Sequence, residues 1–369
     1  MKHLKIMPVV GVRPQIIKAA PLLKLLSRNK KVQLQLLNTG QHYDLEMSRV
    51  FFTDFSLPRP LINLKIGSGT HAEQTGAMMV RIEKAIIHHR PDVVLVFGDA
   101  NTALAGALAA VKVHVPIAHV ESGLRSGNRD MPEEMNRTLV DHCSDILFAP
   151  TKLAARNLFN EGISPRSVFH VGDTMVDAML LWKKAIESST ILHRLALKRE
   201  GYVVLTTHRA ENVDNPRRLD QILSAIAEIK TLTVFPVHPR TRRNLHKFGL
   251  WSKFKRSDCI LPIAPLDYLD MLSLMSSSKL IMTDSGGMQK EAFLLHVPCL
   301  TLRDQTEWLE TVKLGGNRLV GTRRSRIVKE AKRILAEKDP KKRLSGLKSP
   351  FGDGHASERI ASILLHKAK

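Results

Sequence analysis

Ile117-Ala118-His119-Val120-Glu121-Ser122-Gly123-Leu124-Arg125 is the stretch that decides how this chain folds. The apolar run from Val115 to His119 reads as the end of a buried strand. Carboxylates and arginines follow at once, in Glu121 and Arg125 and then in Pro132-Glu133-Glu134-Met135-Asn136-Arg137. In an open α/β sheet, ligands bind beyond the carboxyl ends of the strands, so charge gathered there points to catalysis on an anionic substrate. Core packing has no use for it.

The same alternation recurs along the chain. Apolar bursts of strand length occur at Leu4 to Val10, Val32 to Leu37, Val93 to Phe97, Ile117 to Val120, Ile146 to Phe148 and Phe169 to Val171. A second series runs Val203 to Thr206, Leu232 to Val237, Cys259 to Pro262, Leu280 to Thr283, Cys299 to Leu302 and Arg318 to Val320. Helix-period segments fill the gaps, which predicts parallel sheets flanked by helices. The class is α/β, with two Rossmann-like, doubly wound domains facing each other across an interdomain cleft. The expected boundaries are 1–175 for the first domain, 176–200 for a connection and 201–353 for the second, with a helix over 354–369 packing back on the first.

A length of 369 residues suits two domains, each able to bury its own core. No apolar run approaches the ~20 residues that span a bilayer. Cys143, Cys259 and Cys299 are odd in number and widely spaced, which speaks against a disulfide framework or a metal knuckle and for a cytoplasmic chain with buried thiols. The formal charge of +21 gathers in clusters such as Arg240-Thr241-Arg242-Arg243 and Arg323-Arg324-Ser325-Arg326. They match no nucleic-acid motif, so they read as a solvated basic surface that attracts a charged nucleotide.

Several motifs stand at predicted strand ends. Asp284-Ser285-Gly286-Gly287 precedes a helical pattern and offers free N–H groups to a phosphate, although a turn capped by Asp284 or Ser285 would look the same. Glu291 lies just inside that helix and faces the same end, where the two readings are a ribose hydroxyl bound or a carboxylate simply solvated. Gly11-Val12-Arg13-Pro14 ends the first strand, with Arg13 and Lys18 on the helix beyond it. Asp99, after Val93 to Phe97, neighbours Glu121; two acids on adjacent strand ends can share a pocket and split their pKa values. His208 and His238 close the first two strands of the second series, where they suit acid–base or phosphate work. Gln41 and His42 form a weaker loop set.

Taken together, these motifs and their order resemble the non-hydrolysing UDP-N-acetylglucosamine 2-epimerases. Gly11 to Gln15, Gly40-Gln41-His42, Gly98-Asp99, His119 to Arg125, Pro132 to Arg137, Thr207 to Asn212, Val237-His238-Pro239, Pro265 to Tyr268 and Asp284 to Gly287 carry the resemblance, which runs over nearly the whole chain. Archaeal members are the most similar, notably in Ile66 to His71 and His238 to Thr241. The family implies a glycosyltransferase-B-like arrangement of the two domains and a UDP-sugar substrate. It also implies a homodimer, no cofactor, no metal, and no nucleic-acid or membrane partner. It assigns catalysis to Lys18, Asp99, Glu121, Glu133 and His208. Substrate binding falls to Arg13, Gln41, His42, Gln74, Arg137, His238, Ser285, Gly286, Gly287 and Glu291. The implied reaction expels UDP from C1 so that the C2 hydrogen becomes acidic, then returns UDP after protonation from the other face. Which of Asp99, Glu121 and Glu133 is the base stays open.

The chain departs from the family pattern in places. Gln15 replaces the common Glu, Lys290 stands where a second Glu is usual, and Trp308-Leu309 replaces Arg-Pro. Ala210 and the Gly67 loop lack arginines that many bacterial relatives carry around a second, regulatory UDP-sugar.

Overall fold

The computed structural model describes residues 3–41, 57–255 and 257–367. It divides into two compact units, one of Met1–Leu181 with Ser349–Lys369 and the other of Trp182–Lys348.

The first unit is built on β1 (Leu4–Val10), β2 (Val32–Leu34), β3 (Leu37–Asn38), β4 (Ile62–Asn63), β5 (Val93–Phe97), β6 (Ile117–Val120), β7 (Ile146–Ala149) and β8 (Val168–His170). The spatial order is β4-β3-β1-β5-β6-β7-β8, with β2 also paired to β1, and the neighbours are parallel. All five residues of β5 are buried and apolar, as a strand covered on both faces requires. The single strand expected from Val32 to Leu37 is instead two pieces. The lapse falls opposite Pro8, which has no N–H to give the ladder. β4 is too short for the alternation to reveal.

Helices cover this sheet by amphipathic burial. The helix Arg13–Arg28 has Pro14 in its first turn, where a missing N–H costs nothing, and turns Ile16, Ile17, Leu22, Leu23 and Leu26 inward. The helix Ala356–Lys367 belongs to this unit. Buried Asp177 accepts hydrogen bonds from its first N–H groups, Ala356 at 3.2 Å and Ser357 at 2.6 Å, and so caps it from a distant part of the chain.

The second unit carries β9 (Val203–Thr206), β10 (Thr233–Pro236), β11 (Ile260–Ile263), β12 (Leu280–Thr283), β13 (Cys299–Thr301) and β14 (Asn317–Leu319). All pairs are parallel, in the order β11-β10-β9-β12-β13-β14. Renumbered within the sheet this is 3-2-1-4-5-6, the doubly wound Rossmann order. Its core runs through Val203, Leu205, Phe235, Met282 and Leu300 into the helices Pro216–Ile229 and Arg324–Ala336. Each sheet reverses its winding once, between β1 and β5 in the first and between β9 and β12 in the second. Loops diverge at such a switch point and leave a crevice for a ligand.

Cys299 is buried and the other two cysteines are half-buried; all three are free. Among the described residues no helix is long and apolar enough to cross a membrane.

Candidate active site

At the switch point of the first unit, Gly11 leaves β1 under tight constraint. A Cβ there would lie 2.0 Å from Thr39 Oγ1 and 2.3 Å from Thr102 Oγ1, so no larger residue fits. Gln15 ties the two diverging strands together. Its Oε1 accepts from the Gly11 N–H at 3.0 Å, and its Nε2 donates to the Phe97 carbonyl at 2.8 Å. The Gln that replaces the usual Glu thus serves as a brace, a role its position alone did not reveal.

One turn further along the helix, the Lys18 ammonium reaches across to the Glu121 carboxylate and forms an ion pair with it. Both groups are largely buried, at 15% and 6% side-chain exposure. Gly98 makes room for them, since a Cβ there would meet Glu121 Oε2 at 3.0 Å and Lys18 Nζ at 3.8 Å. Glu121 itself holds φ at 70°, a left-handed conformation costing about 1–2 kcal/mol in a non-glycine residue.

What holds Glu121 there is a buried polar scaffold under the β6 end. The His119 ring bonds Asp141 Oδ1 through Nδ1 at 2.7 Å and the Gly98 carbonyl through Nε2 at 2.9 Å. Asp141 Oδ2 accepts from the Gly123 N–H at 3.0 Å and sits 2.8 Å from Arg125 Nη1. Burial pushes the Asp141 carboxyl up, but hydrogen bonding to His119 and the charges of His119 and Arg125 outweigh it and leave the group below its ordinary value.

Asp99, one-third exposed, pairs with the buried Arg137, whose Nη1 also bonds Glu134 Oε2 at 2.8 Å. Arg137 therefore bridges two carboxylates from beneath the crevice. Glu134 is spent on structure. Its carboxylate accepts the Ser126 N–H at 2.9 Å and the Gly127 N–H at 2.8 Å, and these contacts with Arg137 overcome its burial to lower its pKa. Glu133, next to it in the first turn of Pro132–Cys143, is half-buried.

Gln41 and Gln74 meet in one network. Gln41 Oε1 accepts from the Thr102 N–H at 3.1 Å and its hydroxyl at 2.7 Å. Gln74 Nε2 donates to the carbonyls of Gln41 at 3.0 Å and Gly67 at 2.9 Å. These contacts pin the loops beside Asn101. His42 lies outside the described residues.

The second unit mirrors this economy. Asp284, wholly buried after β12, reaches over to the β9 loop. There it accepts from the Thr207 hydroxyl at 2.7 Å, the His208 and Arg209 N–H groups at 3.1 Å and Asn212 Nδ2 at 3.1 Å. The His208 ring lies 3.3 Å away through Nδ1. Burial opposes ionisation, but the bonds from His208, Thr207 and Asn212 win and lower its pKa to about 2. Asp284 is thus a loop anchor, and Ser285 is the cap of the helix Gly286–Leu294. The exposed His238 caps the helix Pro239–Lys247, its ring 5.5 Å from that of His208.

The two glycines of this turn differ. At Gly286 a Cβ would fall 1.9 Å from Glu307 Oε1, so packing demands glycine; at Gly287 a Cβ would meet nothing within 4 Å. Gly287 is exposed at a helix N-terminus, where a missing side chain lets an anion reach the backbone N–H groups. Glu291 is buried in the same helix. Lys290, fully buried, places its ammonium 4.4 Å from the centre of the Trp308 ring. The two departures from the family pattern are therefore one arrangement in space, a cation over an aromatic face.

A family model described as UDP-N-acetylglucosamine 2-epimerase matches residues 24–365. A UDP-N-acetylglucosamine 2-epimerase homolog of Methanococcus maripaludis is 46% identical over 98% of this chain and 99% of its own length. A UDP-2,3-diacetamido-2,3-dideoxy-D-glucuronate 2-epimerase of Pseudomonas aeruginosa is 44% identical over 98% of this chain and 99% of its own. The crystal structure of Methanocaldococcus jannaschii UDP-GlcNAc 2-epimerase, in complex with UDP-GlcNAc and UDP, superposes with a TM-score of 0.91. It is 45% identical and covers 98% of this chain and 100% of that one. With ordered motifs at both switch points and a family match across most of its length, the chain belongs to the UDP-N-acetylglucosamine 2-epimerase family.

Proposed function

We propose that this chain interconverts UDP-N-acetylglucosamine and UDP-N-acetylmannosamine by inverting C2 through loss and re-addition of UDP. The observation that carries the reading is the Lys18–Glu121 pair, held at a switch point by a strained backbone and a glycine cut to fit it. A carboxylate paired with an ammonium suits both jobs of the reaction, favouring a cationic sugar and moving a proton at C2. Asp99 and Glu133 complete the acidic set. In the second unit the Ser285-Gly286-Gly287 turn supplies N–H donors for the departing diphosphate, and Glu291 holds the ribose. His208, His238 and Arg13 add positive or donor groups for the phosphates, while Gln41, Gln74 and Arg137 shape and neutralise the sugar side.

The test is incubation of the purified chain with UDP-N-acetylglucosamine in deuterated water, followed by proton NMR. The expected product is the C2 epimer with deuterium at C2 and no requirement for an acceptor. Absence of conversion, or sugar transfer only when an acceptor is added, overturns the reading. The same assay with a UDP-diacetamido-uronate separates substrate from reaction class: faster turnover there would reassign the sugar and keep the chemistry. We also take the working form to be a homodimer, which sedimentation equilibrium decides.

A further inference from the structure

Past β14 the basic run Arg323-Arg324-Ser325-Arg326 turns into the wall of a cavity of about 650 Å³. Arg323 stands just before the helix Arg324–Ala336, and Arg326 and Lys329 follow on that helix. Arg218 faces them from the helix Pro216–Ile229, and the two helices are joined where the Arg324 N–H meets Gln221 Oε1 at 3.1 Å. Asp304 is the sole carboxylate in the lining, pressed against Gly321, where a Cβ would lie 2.6 Å from its Oδ1.

The nearby carboxylates are already taken. Glu330 pairs with Arg318 and Arg333, and Glu228 pairs with Arg324. Arg218, Arg323, Arg326 and Lys329 make no ion pair among the described residues. Four cations thus converge on one concavity without counter-charge beyond Asp304. A randomly solvated basic face would spread them apart. The volume lies within the roughly 300–1,000 Å³ range of small-molecule sites, and arginine forks match phosphate oxygens. The place also fits, since this is the carboxyl edge of a doubly wound sheet. It is distinct from the Ser285 turn, because β13 stands between β12 and β14 and strands repeat about every 4.8 Å.

The geometry points to a second anion site, which takes the phosphate or diphosphate group of a small molecule beside the β14 edge. This goes beyond the epimerase reading and does not need it. The probe is inorganic diphosphate, titrated calorimetrically into the full chain at low salt with and without UDP. Comparison is with Arg323→Gln/Arg326→Gln and with Lys329→Gln, the latter serving if circular dichroism finds the double variant unfolded. Diphosphate binding that persists under saturating UDP and weakens about tenfold in the double variant supports the site. The UDP-sugar KM should not change in either variant. Complete displacement by UDP, or wild-type diphosphate affinity in both variants, overturns it. So does a result in which a short oligoribonucleotide binds and diphosphate does not.

Discussion

Replacing Asp141 with Asn tests whether the Glu121 loop is held from below. The substitution keeps the shape and removes the charge. Asp141 accepts three donors, from His119 at 2.7 Å, Gly123 at 3.0 Å and Arg125 at 2.8 Å. An amide offers one oxygen and one NH2, so in either flip at least one buried donor meets another donor unless the His119 proton sits on Nε2 alone. An orphaned donor costs about 1–3 kcal/mol, and the lost charge-assisted bond to Arg125 about 1.5–3 kcal/mol. The sum, about 2.5–6 kcal/mol, brackets the usual cost of breaking a buried pair. In a unit of this size that lowers Tm by roughly 5–24 °C. The sign of the pH effect is also fixed. The folded Asp141 carboxyl lies below its ordinary value, so its contribution is present above an unfolded pKa of about 3.9 and is lost as pH falls through the folded one. The wild type and Asp141→Asn should therefore converge on acidification. Calorimetric melting of both from pH 7 to pH 3, with turnover measured at pH 7, reads each consequence. A Tm difference below about 2 °C at pH 7, or one that does not shrink with acid, would refute the account.

Lys18→Met removes the ammonium from a 6% exposed Glu121, and turnover should fall at least about 100-fold with the fold intact by circular dichroism; near-normal kcat would deny the pair a chemical role. Gly287→Ala places a methyl in space the protein leaves empty and adds helix propensity worth up to about 1 kcal/mol. Stability should hold or rise while UDP affinity falls, and unchanged UDP titration would remove the turn from the binding site. Asp284→Asn should free the His208 loop and destabilise by about 3 kcal/mol at pH 7. That loss should fade progressively as pH falls from the unfolded value of about 3.9 towards about 2, where the native Asp284 carboxyl itself protonates, as urea melts along a pH series would read. Trp308→Ala should cost about 3–5 kcal/mol, and a double-mutant cycle with Lys290→Met should return a coupling of about 1–2 kcal/mol. A coupling near zero would mean that the two departures are unrelated.

The fold was legible because its strands are buried on both faces and read as apolar runs, as in Val93–Phe97 and Leu280–Thr283. Legibility failed where one residue interrupts a ladder, as Pro8 does opposite Gln35 and Leu36, and where a strand such as Ile62–Asn63 is too short to carry a period. In the site, position was legible and partnership was not. A carboxylate just past a strand announces itself, yet nothing in Pro132-Glu133-Glu134 says that Glu134 is consumed by the Ser126 and Gly127 N–H groups while Glu133 stays half-exposed. Likewise Asp284 reads as a cap for the helix it precedes, but its oxygens turn to a loop some seventy-five residues earlier in the chain. Side chains that act backwards across a switch point leave no local signature, since their partners are set by strand order. The Lys290–Trp308 contact makes the same case from the other side. Each residue alone looks like a lapse from the family pattern, and only the adjacency of the Gly286–Leu294 helix to the segment after β13 turns the two lapses into one compensated change. Lone departures from a motif are therefore weak grounds for doubting a function until the fold has shown what each departed residue touches.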